Sequence, residues 1–284
     1  MTARPSSSSP QAGAHARVAL VTGASSGFGR AIAEALHERG WVVYGTTRAA
    51  TDGRSPDGFS MLTMDVTSDA SVSQGVAKVL AEQGRIDALV NNAGMGIAGA
   101  LEDTIIEEAH AQFETNFFGM HRLCRAVLPS MRAQGSGRIV NMSSLGGVVS
   151  VPYQGFYCAS KFAVEAYSEA LRMEVMPFGV HVSMIEPGDY STGFTANRRM
   201  VAAAGADSPY AGRCKRAVTQ FAKDESANAD IGPVARKALA LLESPKPGLR
   251  NPVANAVQRV LVALRPAMPH SLFEYLVMSI YGIR

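Results

Sequence analysis

Residues 18–29 read VALVTGASSGFG, and the reading of this stretch decides the fold. VALV is short, apolar and rich in β-branched residues, as a buried strand is. Glycines at 23, 27 and 29 then break the chain before a helical pattern begins at about residue 28. Small residues at such a turn let the backbone approach a pyrophosphate, while the N–H groups and dipole of the helix N-terminus favour an anion. The spacing is GxxxGxG rather than the usual GxGxxG, but the physics is the same. Taken alone, the stretch could also be a tight strand-to-helix turn with no ligand.

The same alternation continues outward. WVVYGTTR (41–48), SMLTMDV (60–66), DALVNNAG (87–94), GRIVNMSS (137–144) and HVSMIEPG (181–188) read as strands. Helical patterns lie between them over about 69–82, in one long helix over about 107–132, and through YCASK (157–161) to the stop at Pro177. A helix over VARKALALLES (234–244) and a strand over 249–253 complete the pattern. Apolar runs separated by helices mean parallel strands with helical crossovers. This predicts an α/β fold, a doubly wound parallel β-sheet with helices on both faces. Such sheets bind ligands at the carboxyl ends of their strands.

The 284 residues, 47% hydrophobic and 18% charged, suit one soluble domain. A net charge of +3 with no block of basic residues argues against nucleic acid as a partner. Cys124, Cys158 and Cys214 are odd in number and lack ligand spacing, and the six histidines are scattered. No metal site is expected, and the cysteine usage fits a cytoplasmic protein. Residues 1–15 read as a disordered tail without a secretory h-region. Residues 16–254 form the dinucleotide-binding and catalytic domain, and 255–284 a helical extension. No run of 18 apolar residues spans a membrane. The extension has three open roles: covering the substrate mouth, forming a dimer surface, or touching a membrane or hydrophobic partner.

The second strand ends in Thr47 and Arg48, where a site preferring NAD would place an acid against the ribose 2′-hydroxyl. A guanidinium pairs with a 2′-phosphate that a carboxylate would repel, so the expected cofactor is NADP(H), with Arg48 discriminating and Thr47 assisting.

In order along the chain stand TGASSGFG (22–29), Asp65-Val66, NNAG (91–94), Asn116, Ser144, YCASK (157–161) and PGDYST (187–192). This series resembles the single-domain short-chain dehydrogenase/reductase family over residues 16–195. NAGMGIAGALED with YCASKFAVEAYSEALR is most similar to its 17β-hydroxysteroid dehydrogenase-like and retinol dehydrogenase-like branch. The resemblance implies a Rossmann-type fold. It places the cofactor against Gly23, Ser25, Ser26, Gly27, Phe28 and Gly29, with Asp65 and Val66 at the adenine. Asn92, Ala93 and Gly94 would line the adenine-ribose side, and Pro187, Gly188 and Thr192 the nicotinamide end. Asn91 or Asn92 could be merely structural. Asp189, where many relatives carry an apolar residue, either repels anionic substrates or caps the next helix; the cap is favoured.

Tyr157 and Lys161, at i and i+4, share a helix face. An unperturbed tyrosine has a pKa of about 10, and the Lys161 ammonium is expected to lower it, making Tyr157 the acid/base. Lys161 would also hold the nicotinamide ribose. Ser144 would stabilise charge on the substrate oxygen, and Asn116 would hold a water relaying protons towards Lys161. Cys158 reads as packing. The expected substrate is a small lipophilic ketone, aldehyde or alcohol, held by Met95, Ile97, Leu145, Val149, Tyr153 and a mobile helical lid over about 192–220. Arg198, Arg199, Arg213 and Lys215 would form a basic rim. The family favours a homodimer or homotetramer built on the long helices after the fourth and fifth strands. A second reading is a non-catalytic NADP-binding regulator or scaffold; the complete Asn116, Ser144, Tyr157 and Lys161 set speaks against it.

Overall fold

The computed structural model describes residues 16–49 and 52–284, so the expected tail at 1–15 lies outside the described residues. In chain order the strands are β1 (Val18–Val21), β2 (Val42–Thr47), β3 (Gly53–Arg54), β4 (Ser60–Thr63), β5 (Ala88–Asn91), β6 (Ile97–Ala98), β7 (Gly137–Met142), β8 (Val180–Pro187), β9 (Arg199–Met200) and β10 (Arg250–Val253). The helices are α1 (Gly27–Glu38), α2 (Asp69–Gln83), α3 (Ile106–Phe113), α4 (Gly119–Gln134), α5 (Gly155–Val175), α6 (Gly193–Ala196), α7 (Ala211–Ser226), α8 (Gly232–Glu243), α9 (Ala256–Leu264) and α10 (His270–Ile280).

The main sheet runs β10-β8-β7-β5-β1-β2-β4-β3. The chain moves outward from β1 to β2 and β4, then returns to β5 on the other side of β1. The crevice between β1 and β5 is therefore the switch point where such sheets take a ligand. Val18 pairs with Val42 on one side, and Ala19 with Ala88 on the other.

Alternation along β1 supplies both halves of the core. Val18 and Leu20 join a cluster with Val76 of α2, Leu123 of α4 and Val164 of α5. Ala19 and Val21 join Ile32 and Leu36 of α1 and Ala238 of α8. Both faces of β1 are thus covered, which is why VALV reads as a continuous apolar run. Pro252 falls in β10, an edge strand where the missing N–H costs no ladder bond.

The structure corrects the expected elements in four places. The sheet is not wholly parallel, because β3 pairs antiparallel with β4 at the edge. The single long helix over 107–132 is broken by a π-helical turn, Glu114–Phe118, between α3 and α4. The lid region is not purely helical. Only four residues form α6, and the chain then pairs β9 with β6 before α7 begins. Strands also stop short of their expected ends: β4 at Thr63, β5 at Asn91 and β7 at Met142. The residues beyond these ends leave the ladder and turn into the site.

Candidate active site

Thr22, the first residue after β1, ties two loops together. Its Oγ1 accepts from the backbone N–H groups of Asn92 and Ala93, each at 2.9 Å, and donates to the Val90 carbonyl. Asn92 Nδ2 donates in return to the carbonyls of Thr22 (2.9 Å) and Gly23 (3.2 Å). Gly23 turns with φ +65°, and a Cβ at Gly29 would lie 2.3 Å from the Gly23 carbonyl oxygen. Gly29 is thus needed for the close approach of α1 to its own turn, whereas Gly23, Ser25, Ser26, Gly27 and Phe28 line the cavity. Ser26 precedes α1 without its side chain capping the helix, and the first turn carries no acid. Those helix N–H groups suit a phosphate. Asn91 turns into the core instead, donating to Asn141 Oδ1 at 2.9 Å.

One cavity of about 660 Å³ runs from this turn across the carboxyl edge of the sheet. Thr47, Arg48, Asp65 and Val66 line one end, beside Asn92, Ala93 and Gly94. Asp65 Oδ1 accepts from the N–H and hydroxyl of Thr67, and the Thr67 amide holds this carboxyl below its usual range.

At the middle of the cavity stand Ser144, Tyr157 and Lys161. Ser144 closes β7 and accepts from the Gly146 N–H at 3.0 Å. Tyr157 and Lys161 share a face of α5, with Lys161 Nζ 5.8 Å from the Tyr157 ring centre. Lys161 Nζ donates to the Met142 carbonyl at 2.8 Å, and burial lowers its pKa to about 8 despite the opposing charge of Glu165. Burial raises the Tyr157 pKa, opposed by a hydrogen bond with Ser144. The expected lowering by Lys161 is thus overturned: burial of the phenol sets the direction of the shift. Behind Lys161, Arg250 pairs with Glu165, Glu169 and Glu186, and burial lifts Glu165 to about 7.

Asn116 lies in the π-helical turn, and its side chain is already engaged. Oδ1 accepts from Met95 N at 2.8 Å, while Nδ2 donates to the Met95 carbonyl and to Ser160 Oγ. In this arrangement the amide braces the Met95 loop against α5.

Pro187, Gly188 and Thr192 line the far side with Asp189. Asp189 does not cap the next helix. Thr192 does, accepting from the Phe194 N–H at 3.2 Å, while Asp189 accepts from Gln258 of α9. Burial, with Glu225 nearby, raises Asp189 to about 6. Phe194 sets its ring 5.4 Å from that of Tyr157. Met95, Leu145 and Val149 line the cavity as expected, but Ile97 is buried in β6 and Tyr153 packs beside the Ala217, Phe221 and Ile283 cluster. Of the expected basic rim, Arg199 lines the cavity, whereas Arg198 is paired with Glu225. Cys158 is buried, which raises its thiol pKa. Sequence reasoning missed the Thr22 clamp and left the role of the extension open; its Leu261 and Val262 of α9 and Phe273 and Val277 of α10 form a wall of the cavity. The only prior signal for Thr22 was a hydroxyl directly before the first glycine.

Among the described residues no group of three or more potential metal ligands occurs, and no helix is long and apolar enough to cross a membrane. The profile of the short chain dehydrogenase family matches residues 17–202. A 3-ketodihydrosphingosine reductase of Bacteroides thetaiotaomicron is 43% identical over 94% of this chain and 99% of its own length. The human 17-beta-hydroxysteroid dehydrogenase type 1 is 38% identical over 62% of this chain and 58% of its own. The crystal structure of a short-chain dehydrogenase from Streptomyces avermitilis superimposes with a TM-score of 0.79 at 36% identity, covering 93% of this chain and 97% of that one. The chain belongs to the short-chain dehydrogenase/reductase family. It is an NAD(P)-dependent oxidoreductase, as the cavity at the switch point of its sheet accords with.

The Thr22 clamp is testable. Thr22→Val keeps the shape but leaves two amides without their acceptor, at a cost of about 1–3 kcal/mol. Urea unfolding should show that loss together with weaker dinucleotide binding; unchanged values for both would contradict the role given to Thr22.

Proposed function

We propose that the chain reduces a lipophilic ketone with NADPH, Tyr157 supplying the proton. The observation that carries this reading is the continuity of the cavity. A single space joins the glycine turn and Arg48 to Tyr157 and then to the apolar side chains of α9 and α10. The name of the Bacteroides relative, 3-ketodihydrosphingosine reductase, is that of a ketone reductase and supports the same reaction.

The residues fit the cofactor. Uncapped N–H groups of α1 face a phosphate chemistry, and Arg48 at the end of β2 suits a 2′-phosphate. NADPH, when bound, supplies the hydride. The protein's part is to orient and to provide acid. Ser144, its oxygen accepting from Gly146, hydrogen-bonds Tyr157, and a substrate oxygen entering beside both takes the Ser144 O–H as a second donor in place of that bond. Burial keeps Tyr157 in its neutral phenol form, so a proton is present at neutral pH. As the carbonyl carbon gains hydride, that proton passes to the oxygen, giving the alcohol and leaving a phenolate. The Lys161 ammonium stabilises the phenolate until solvent returns the proton. Asn116 acts by holding the Met95 loop and α5 in register. The enzyme is cytoplasmic on this reading. It forms a homodimer or homotetramer through the outer faces of α4 and α5, with Phe162 and Met173 exposed on α5 and Phe118 exposed directly before α4.

Tyr157→Phe should bind NADPH normally in a fluorescence titration yet lose kcat by several orders of magnitude; near-native turnover across several ketones would remove Tyr157 from the chemistry. Steady-state kinetics should show a lower KM for NADPH than for NADH, a gap that narrows in Arg48→Ala; a native preference for NADH would refute the assignment. A pH profile checks Lys161. Its depressed pKa of about 8 means the ammonium is present below that pH and lost above it. The value of kcat/KM for NADPH, which reports the free enzyme, should therefore fall as pH rises through about 8; a flat alkaline limb would contradict this.

A further inference from the structure

The helix pair α9–α10 has two apolar sides, and only one is used by the fold. On the inner side Leu261, Val262, Phe273 and Val277 face the cavity. Gln258 latches α9 to Asp189, and Arg216 Nε donates to the Gly282 carbonyl at 2.8 Å, holding the end of the pair against α7.

The outer side is different. None of the nine residues of α9 is buried, although its sequence is AVQRVLVAL. Val257 (77% exposed), Val260 (57%) and Leu264 (53%) stand at i, i+3 and i+7, a single stripe facing away from the protein. Leu272 (46%) and Tyr275 (49%) continue it on α10. An apolar surface of this kind on a folded chain marks something that covers it. Charge indicates which partner. Residues 255–284 carry Arg259, Arg265 and Arg284 against one acid, Glu274. Arg284 lies 4.0 Å from the ring centre of exposed Tyr275, on the stripe, and Arg259 stands exposed between Val257 and Val260; Arg265 follows Leu264 directly but turns inward, 4.3 Å from the ring centre of buried Phe273. A basic border around an exposed apolar stripe is the pattern of helices that lie in the headgroup region of an anionic bilayer. The stripe also meets the cavity: Ile280 lines that cavity and is 49% exposed, which puts it at the edge between the two.

We propose that α9 and α10 dock on the surface of an anionic lipid bilayer through Val257, Val260, Leu264 and their arginine border, opening the edge of the cavity at Ile280 to membrane-dissolved substrate. The docking rests on the exposed stripe and its charges; the delivery of substrate rests in addition on the reading of the site as a reductase of lipophilic ketones. The substrate is then a long-chain ketone that partitions into lipid, taken up beside α10 without crossing water.

The test is flotation of the full chain with vesicles of phosphatidylcholine alone and of phosphatidylcholine mixed with phosphatidylglycerol, at low and high salt. The protein should float with the anionic vesicles, more strongly at low salt. The triple substitution Val257→Ser, Val260→Ser, Leu264→Ser should weaken that binding by about tenfold or more, and Arg259→Glu should weaken it for anionic vesicles. Neither variant should alter NADPH oxidation with a short water-soluble ketone, since none of the four residues lines the cavity. Equal flotation of native protein and triple variant would overturn the proposal, as would absence of flotation with either composition. If the triple variant instead changes the mass in solution by light scattering while native protein ignores vesicles, the stripe is a subunit interface and the proposal is wrong. Vesicle binding without turnover of any ketone would uphold the docking and overturn only the catalytic reading.

Discussion

Parallel pairing brings the carboxyl ends of β1, β2, β4, β5, β7 and β8 to one edge of the sheet, and the rest of the site depends on that constraint. Backbone groups beyond those ends are released from the ladder and must find other partners. Thr22 supplies them for the loop after β5, accepting from Asn92 and Ala93, and Asn92 supplies them in return for the turn before α1, so the two loops cannot move independently. The cavity opens where these loops part, at the reversal of strand order. Its position follows from topology before any catalytic side chain is considered.

Electrostatics then separates the side chains that the topology gathers. Tyr157 and Lys161 occupy one face of α5, and burial acts on them in opposite directions, favouring the neutral form of each. A phenol pushed up keeps its proton, and an ammonium pushed down holds its charge only weakly. On the proposed mechanism this pairing suits reduction, because the acid starts loaded and the nearby cation stabilises the phenolate as it forms. Glu165, one turn beyond Lys161, opposes the loss of that cation, while Arg250 holds Glu165 and Glu186 together.

Much of this was legible in the sequence because it is written in short-range patterns. VALV gave a strand buried on both faces, and GxxxGxG gave the turn into α1. The i, i+4 spacing of Tyr157 and Lys161 put both on one face. What failed depended on contacts distant along the chain. Asp189 read as a cap because the residues after it begin a helix, but Thr192 fills that role, and Asp189 meets Gln258 in α9. Residues 107–132 read as an unbroken helix, yet a π-helical turn places the Asn116 amide against Met95 and Ser160. Tyr153 is near Tyr157 in sequence but packs elsewhere. The lowering expected for Tyr157 failed for a similar reason, since the amount of protein packed around a phenol is not visible in a pentapeptide.

Residues 255–284 wall one side of the cavity, bringing Gln258, Leu261, Phe273 and Val277 to a domain whose proposed catalytic groups all lie before residue 195. The central claim is that hydride moves from NADPH to a ketone inside this one cavity. Its most direct measurement is isotope transfer: NADPH carrying deuterium at the reactive C4 position, incubated with the protein and a long-chain ketone, followed by mass spectrometry of the product. The account predicts an alcohol with one deuterium on the carbinol carbon; ketone recovered unchanged, or alcohol without deuterium from either C4 position, would contradict it.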